Sequence, residues 1–427
     1  MPAWGPVGSA GFRPFMPLIS LATARQAVLD AIRPAPAEAV PLPHAQGRFL
    51  AAAVTASRSL PGCDNSAMDG WAVRAQETQG ATRSHPVRLR IAGTVYAGAL
   101  PARALQPGEA ARIFTGAPLP AGADAVVRQE AARAEEDGQV SLFITVPPGH
   151  DIRRAGEEVQ AGTPLFAAGQ RVEPAVLGVL ASLGEATARV RPAPRVAVLA
   201  TGDELIAPGQ PALPHQVYES NLLLMAALAR EAGAEVLSTA RARDDDAELR
   251  AAVTRLASGA GVLITTGGAS VGDKDRVKGT LAALGARFLV DGVALKPGKP
   301  VAVAHLGGTV VIVLPGNPGA ATVAWDQLGR PVLLKLQGVH EERRRVRARL
   351  TEGRHKQAGL TYLLSAQVEH RQDGAWARLR PQGAGQILQN VGAEGYAVLP
   401  PGQADFAEGD AVEVELFDRP RYVAAGP

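Results

Sequence analysis

A single cysteine in 427 residues, Cys63, leaves no internal disulfide framework and suits a reducing compartment. Aromatic residues make up 4% of the chain, too few for the stacking platforms that hold single-stranded nucleic acid. Lysine plus arginine number 44 against 41 aspartate plus glutamate, so no strong field of one sign recruits nucleic acid or a membrane surface. The eight histidines show neither His-Glu-x-x-His nor paired spacing, which argues against a histidine zinc site. No apolar run approaches the roughly 18 residues that a membrane span needs. Met1–Pro17 has no basic start ahead of an apolar core, so it lacks the form of a secretory signal and reads as part of a flexible extension over 1–19. A soluble, cytoplasmic protein with no nucleic-acid or membrane partner is expected.

What is present is ordinary globular material, 46% apolar and 20% charged, and long enough for about two to four domains. Its most patterned stretch runs from Arg195 to Gln337. Four short apolar runs, Val196–Ala200, Glu235–Ala240, Gly261–Thr265 and Thr309–Leu314, alternate with helical-looking segments at Asn221–Ala232, Ala247–Ala257, Arg276–Leu284 and Ala320–Leu334. This alternation predicts βαβ units on a parallel sheet. Ligands of such sheets bind outside the carboxyl ends of the strands. Here those ends run into Thr201-Gly-Asp-Glu204, Arg243-Asp-Asp-Asp246, Thr266-Gly-Gly-Ala-Ser-Val-Gly-Asp-Lys-Asp275 and Pro315-Gly-Asn-Pro318.

The flanking regions read differently. Ser20 is placed to cap a helix over Leu21–Ile32 that Pro34 ends. Asp64-Asn-Ser-Ala-Met-Asp-Gly70 has the composition of a solvated turn. Strand-like runs between Val87 and Val146 predict a small β-rich domain, with Ala111–Ile113 leading to Thr115-Gly116. Pro174–Leu183 reads as a helix and Arg191-Pro-Ala-Pro194 as a linker. After Gly338, alternating residues with turns at Asp373-Gly374 and Pro401-Gly402 predict a second all-β domain. The basic run Glu341–Arg347 fits a solvated strand face better than a binding patch.

The candidate chemistry sits at the strand ends. Glu204, Asp244 and Asp275 follow three different strands, so a parallel sheet can turn their carboxylates towards one cavity, as a hard cation such as Mg²⁺ with substrate phosphates requires. Acids in these places also cap helices, and Asp246 is read as such a cap. Gly267-Gly268 allows close backbone approach to an anion, although no Gly-Lys-Ser/Thr follows as in a Walker A loop. Lys296-Pro-Gly-Lys-Pro300 flanks a rigid turn with two ammonium groups, either for an oxyanion or as a plain surface turn.

Six segments in one order, Asp64–Gly70, Ile113–Ala117, Thr201–Leu205, Gly267–Gly272, Lys296–Pro300 and Pro315–Pro318, resemble the molybdopterin molybdenumtransferase family (MoeA and the E-domain of gephyrin). The resemblance covers the chain from about Ser20 to its C-terminus. It implies a multidomain fold: a linker domain split over 20–48 and 150–190, an inserted β-rich domain over 49–149, a molybdopterin-binding α/β domain over 191–337, and a β-barrel-like domain over 338–427. It implies Mg²⁺-dependent insertion of molybdenum from molybdate into adenylylated molybdopterin with release of AMP. The homodimer it implies shares its active site between subunits and works between a molybdopterin adenylyltransferase upstream and molybdoenzyme acceptors downstream. Carried over by motif, Asp64, Thr115, Glu204, Asp275, Lys296 and Lys299 would be catalytic, and Glu204, Asp244 and Asp275 would hold the metal. Gly267, Gly268, Ser270, Pro315, Gly316 and Asn317 would bind the cofactor, whose dithiolene sulfurs, not Cys63, would carry molybdenum. The chain departs from the family pattern at Gly292, where a lysine is common, at Gly319-Ala320, and at Gly383–Asn390, which lacks the usual serines. Tungstate insertion, an adenylyltransferase step and a gephyrin-like scaffold without catalysis are the alternatives.

Overall fold

The computed structural model of the chain describes residues 18–268, 276–381, 383 and 385–417. They fall into two compact units: residues up to Glu38 together with those from Arg191 onward, and Ala39–Val190. No helix among the described residues is long and apolar enough to cross a membrane.

In the first unit the four apolar runs pair as parallel strands. Arg195–Thr201 lies between Glu235–Ala242 and Val262–Thr266, and Thr309–Leu314 follows beside Val262–Thr266. The runs are apolar at successive positions because helices cover both faces. Met225, Ala226 and Ala229 of the helix Asn221–Glu231 share a core with Val196, Val198 and Ile264. Leu249, Val253 and Leu256 of the helix Asp246–Gly259 share the other with Ala197, Leu199 and Leu263. The helix Leu21–Ala31, capped by the Ser20 hydroxyl accepting from Thr23 N–H at 3.1 Å, was expected with the linker segments. It instead buries Ala24 and Val28 in the core of the α/β sheet.

The sheet is not purely parallel. Ala302–Leu306 adds antiparallel to Thr309–Leu314, and Arg287–Asp291 adds antiparallel to that. The Gly307-Gly308 dipeptide between the first two is a two-residue hairpin connection, the one local signal for this reversal. Beyond it, five strands close on themselves. Thr361–Arg371 pairs with Gly374–Leu379 and Gly395–Leu399, Arg345–Leu350 with Gly374–Leu379 and Ala411–Leu416, and the last of these with Gly395–Leu399. Leu350, Leu364, Ala366, Ala377, Leu399 and Val414 fill the interior. Leu295–Lys296 pairs in parallel with Thr361-Tyr362, which fixes the lysine loop to the barrel wall.

The second unit holds a six-stranded sheet in the order Ala125–Arg128, Gly70–Val73, Glu109–Ile113, Val87–Val95, Gln139–Leu142, Ala132–Ala134. Gly70–Val73 is buried at every position, so the polar Asp64–Gly70 segment runs directly into the core. A separate small core joins Leu50 and Val172 to Val176 and Leu180 of the helix Pro174–Ser182.

Ile264 is fully buried on a strand with partners on both sides. Ile264→Ala should destabilise the first unit by about 2–5 kcal/mol. A denaturant titration followed by far-UV circular dichroism measures this as a lower midpoint.

Candidate active site

At the carboxyl ends of the four parallel strands, a cleft of ≈ 570 Å³ opens within the first unit. Each strand contributes to it: Thr201, Gly202 and Glu204 after the first, Asp244 after the second, Thr266, Gly267 and Gly268 after the third, Pro315, Gly316 and Asn317 after the fourth. The cleft therefore joins Glu204, Asp244, Gly267, Gly268, Pro315, Gly316 and Asn317 of the expected set. Ser270 and Asp275 lie outside the described residues.

Glycine backbone makes the floor. Gly267 has φ +89°, and a Cβ there would lie 2.4 Å from the Thr201 carbonyl oxygen and 2.8 Å from its hydroxyl. Gly268 has φ +60°, and a Cβ on it would meet Val277 at 2.6 Å. Only glycine accepts this conformation in this space. Among the described residues, the Thr201 hydroxyl and Asn221 Oδ1 are buried at the cleft without a hydrogen-bond partner, while Asn221 Nδ2 donates to the Gly316 carbonyl at 2.7 Å. A phosphorylated, donor-rich ligand could satisfy both orphaned oxygens.

The electrostatics at one end are strongly acidic. Burial pushes the Asp244 carboxyl above the usual carboxylate range, and the charges of Asp203 and Glu204 push it the same way. Arg276 and a hydrogen bond from the Asp203 backbone partly oppose this. Asp244 N–H in turn donates to Asp203 Oδ1 at 3.1 Å, locking the two loops together. Among the described residues no group of three His, Cys, Asp or Glu side chains forms a complete metal cage. Glu204 and Asp244 nonetheless supply two hard oxygen donors on one cleft wall, the number Mg²⁺ commonly takes from protein when substrate phosphates complete its shell.

Other expectations resolve differently. The helix cap before Ala247 is Asp245, which accepts from Ala247 and Glu248 N–H at 3.1 and 2.9 Å. Asp246, expected in that role, starts the helix and pairs with Arg276 at 2.9 Å. Neither Lys296 nor Lys299 lines the cleft, whereas the adjoining Pro300 does. Both lysines are exposed, and Lys296 Nζ lies 5.3 Å from the centre of the Tyr362 ring, a cation–π contact. Gly292, with φ +87° and Leu18 3.1 Å from where a Cβ would sit, has no room for a lysine without strain.

Asp64 and Thr115 belong to the second unit. Asp64 accepts from Arg154 at 2.6 Å and from Ala155 N–H at 2.8 Å, and these bonds hold its carboxyl below the usual range, the Ala155 bond foremost. Thr115 is exposed and hydrogen-bonded to Asp69.

Glu219, Gly385 and Ile387 line the cleft and were missed in the sequence. Glu219 is buried beside the cleft, its carboxylate accepting from Leu222 N–H at 3.0 Å and its pKa raised by burial. The signal was the polar Glu219-Ser-Asn221 run at a helix start. The loop of Gly385 and Ile387 packs so closely on Gly319 that a Cβ there would sit 2.0 Å from Gln389 Nε2 and 3.0 Å from the Gln386 carbonyl oxygen. Gly319 thus accommodates the Gln389 side chain, which is itself buried.

Because the folded pKa of Asp244 is raised, the stability it contributes is fully present below its unfolded pKa of about 3.9 and is lost as pH rises through the folded value. Asp244→Asn should therefore raise the melting temperature of the ligand-free protein at pH 7, with the gain vanishing near pH 4. Thermal denaturation of parent and variant across that range checks it.

Family models match the chain in order: the MoeA N-terminal region (domain I and II) over residues 19–184, the probable molybdopterin binding domain over 197–335, and the MoeA C-terminal region (domain IV) over 347–417. Molybdopterin molybdenumtransferase 2 of Mycobacterium tuberculosis (strain ATCC 25618 / H37Rv) is 41% identical over 381 residues, 88% of this chain and 94% of that protein. The molybdopterin molybdenumtransferase of Bacillus subtilis (strain 168) is 35% identical over 388 residues, 89% of this chain and 90% of its own. The molybdopterin biosynthesis moea protein from Pyrococcus horikosii superposes with a TM-score of 0.79 at 30% identity, over 94% of this chain and all of that one. The chain belongs to the molybdopterin molybdenumtransferase (MoeA) family.

Proposed function

We propose that this transferase of molybdenum cofactor biosynthesis inserts molybdenum from molybdate into adenylylated molybdopterin, releasing AMP. The observation that carries the reading is the convergence of Glu204 and Asp244 on a cleft floored by Gly267, Gly268 and Gly316. Glycine backbone admits a pyrophosphate closely, and the acids meet a cation that accompanies it. Mg²⁺ bound there supplies charge neutralisation for the pyrophosphate and Lewis acidity at the phosphorus.

The chain's own groups act around that centre. Glu204, exposed at the cleft wall, orients the attacking oxygen, with Asp275 as its fellow acid. Burial, with the charges of Asp203 and Glu204, disfavours the ionised form of Asp244, a cost that a bound cation would offset. Lys296 and Lys299 offset charge on molybdate and on the leaving phosphate. Ser270, Pro315 and Asn317 position the pterin diphosphate, and molybdenum stays on the cofactor's sulfurs, leaving the exposed Cys63 without a role. The working form in this reading is a cytoplasmic homodimer in which the partner subunit's Asp64 and the partner subunit's Thr115 complete each cleft. Its division is the split linker, inserted β-rich, α/β and barrel domains. It takes substrate from a molybdopterin adenylyltransferase and passes product to molybdoenzymes.

The test is AMP release from adenylylated molybdopterin, measured by chromatography with Mg²⁺ and molybdate each present or omitted. The parent should need both, and Glu204→Ala should slow release by about 10²-fold. Release without molybdate, or an unimpaired Glu204→Ala, would sink the assignment. AMP release driven better by tungstate would change the metal, and consumption of ATP with molybdopterin would move the chain to the adenylyltransferase step.

A further inference from the structure

Thr115 stands at the end of the strand Glu109–Ile113 on an exposed turn, yet both of its donors are already engaged. Its backbone N–H and its hydroxyl each lie 2.8 Å from the same Asp69 Oδ1. A carboxylate has no proton to give, so the hydroxyl proton points at Asp69. These bonds, with the backbone one foremost, also hold the Asp69 carboxyl below its ordinary range, so it is ionised at neutral pH. The seam around this contact is continuous. Gly116 N–H donates to the Ser66 carbonyl at 2.8 Å, Ser66 N–H to the Ala117 carbonyl at 3.0 Å, and Leu119 N–H to the Asp64 carbonyl at 2.9 Å. Gln129 N–H takes the Asp69 carbonyl at 3.0 Å, which fixes the backbone that carries the acid.

A hydroxyl has one hydrogen and two lone pairs. With the hydrogen held inward, the side of Thr115 Oγ1 that faces solvent can only accept. An oxyanion approaching it would find no donor and a carboxylate charge behind. A cation, or an N–H or O–H group of a pterin or ribose, would find a fixed acceptor.

We propose that Asp69 is a positioning residue that makes Thr115 an obligate acceptor, so that this edge of the site receives a cation or a hydrogen-bond donor and not molybdate. The proposal rests on the reading that Thr115 belongs to the active site.

The experiment measures half-saturation for Mg²⁺, adenylylated molybdopterin and molybdate in Thr115→Val, Thr115→Ser, Asp69→Ala, Asp69→Asn and Asp69→Ala/Thr115→Val, with melting temperatures to confirm folding. Thr115→Val should raise the Mg²⁺ or the pterin value by about tenfold, the loss expected for one hydrogen bond to a charged or donor group, and leave molybdate within about twofold. A rise for Mg²⁺ identifies the cation, a rise for the pterin substrate identifies its donor groups. Thr115→Ser and Asp69→Asn, which keep the hydroxyl donor and an acceptor oxygen for it, should stay close to the parent values. Asp69→Ala added to Thr115→Val should cost no more than about a further twofold, since the acid acts through the hydroxyl. Additive losses, or a rise confined to molybdate, overturn the proposal while leaving Thr115 in the site. A Thr115→Val enzyme with all three values unchanged overturns both. The Thr115→Val and Thr115→Ser arms decide the ligand class even if Asp69→Ala does not fold.

Discussion

Two backbones in contact set the geometry of the cleft. The strands Arg195–Thr201 and Val262–Thr266 pair from Val196↔Val262 to Ala200↔Thr266, and the chain then turns at Gly267 against the Thr201 carbonyl. Because no side chain separates the two loops, the glycine floor lies directly beside the segment that carries Glu204. The neighbouring pair ends with Thr201 beside Ala242, which sets Asp244 one loop away from Glu204. The acidic wall therefore follows from strand register, and the raised pKa of Asp244 records first its burial there and then the nearness of like charges on Asp203 and Glu204.

Outside the cleft, buried charge is handled by pairing. Glu109 is almost wholly buried in the strand Glu109–Ile113 and is held at about 2 chiefly by its hydrogen bonds from Arg103, with Gln106 N–H next and Arg90 adding its charge. A depressed pKa of this kind lends stability above the unfolded value that is lost as pH falls towards 2. In the first unit, Arg343 binds Asp326 at 2.5 and 2.7 Å, and Glu341 bridges Arg343 to Arg330. Asp326 sits in the π-helical turn Trp325–Gly329. Removing one member of such a network strands the others without partners, which costs more than the pair contributes.

The four parallel strands were legible because β-branched runs covered on both faces look alike wherever they occur. The antiparallel extension was not, since Arg287–Asp291 alternates weakly and only Gly307-Gly308 marks the turn. The run Asp244-Asp-Asp246 could not reveal its cap, because its three side chains are identical, and it is Asp245 that takes the extended conformation a cap needs and accepts from the first helical N–H groups. The Asp64–Gly70 segment has turn composition, yet its second acid serves a threonine 46 positions away, a contact that local spacing does not encode. The family resemblance, by contrast, was legible from six short segments because each is placed by backbone requirements of its own.

The pairing of Gly319 with Gln389 has an evolutionary corollary. The glutamine occupies volume that any larger residue at 319 would claim, and the barrel loop that bears it also lines the cleft. Neither position can drift by itself: a bulkier 319 becomes tolerable only after 389 has shrunk, and a smaller 389 leaves a hole until 319 grows. Departures from the family pattern at these two distant places should thus be inherited jointly, as one compensated change.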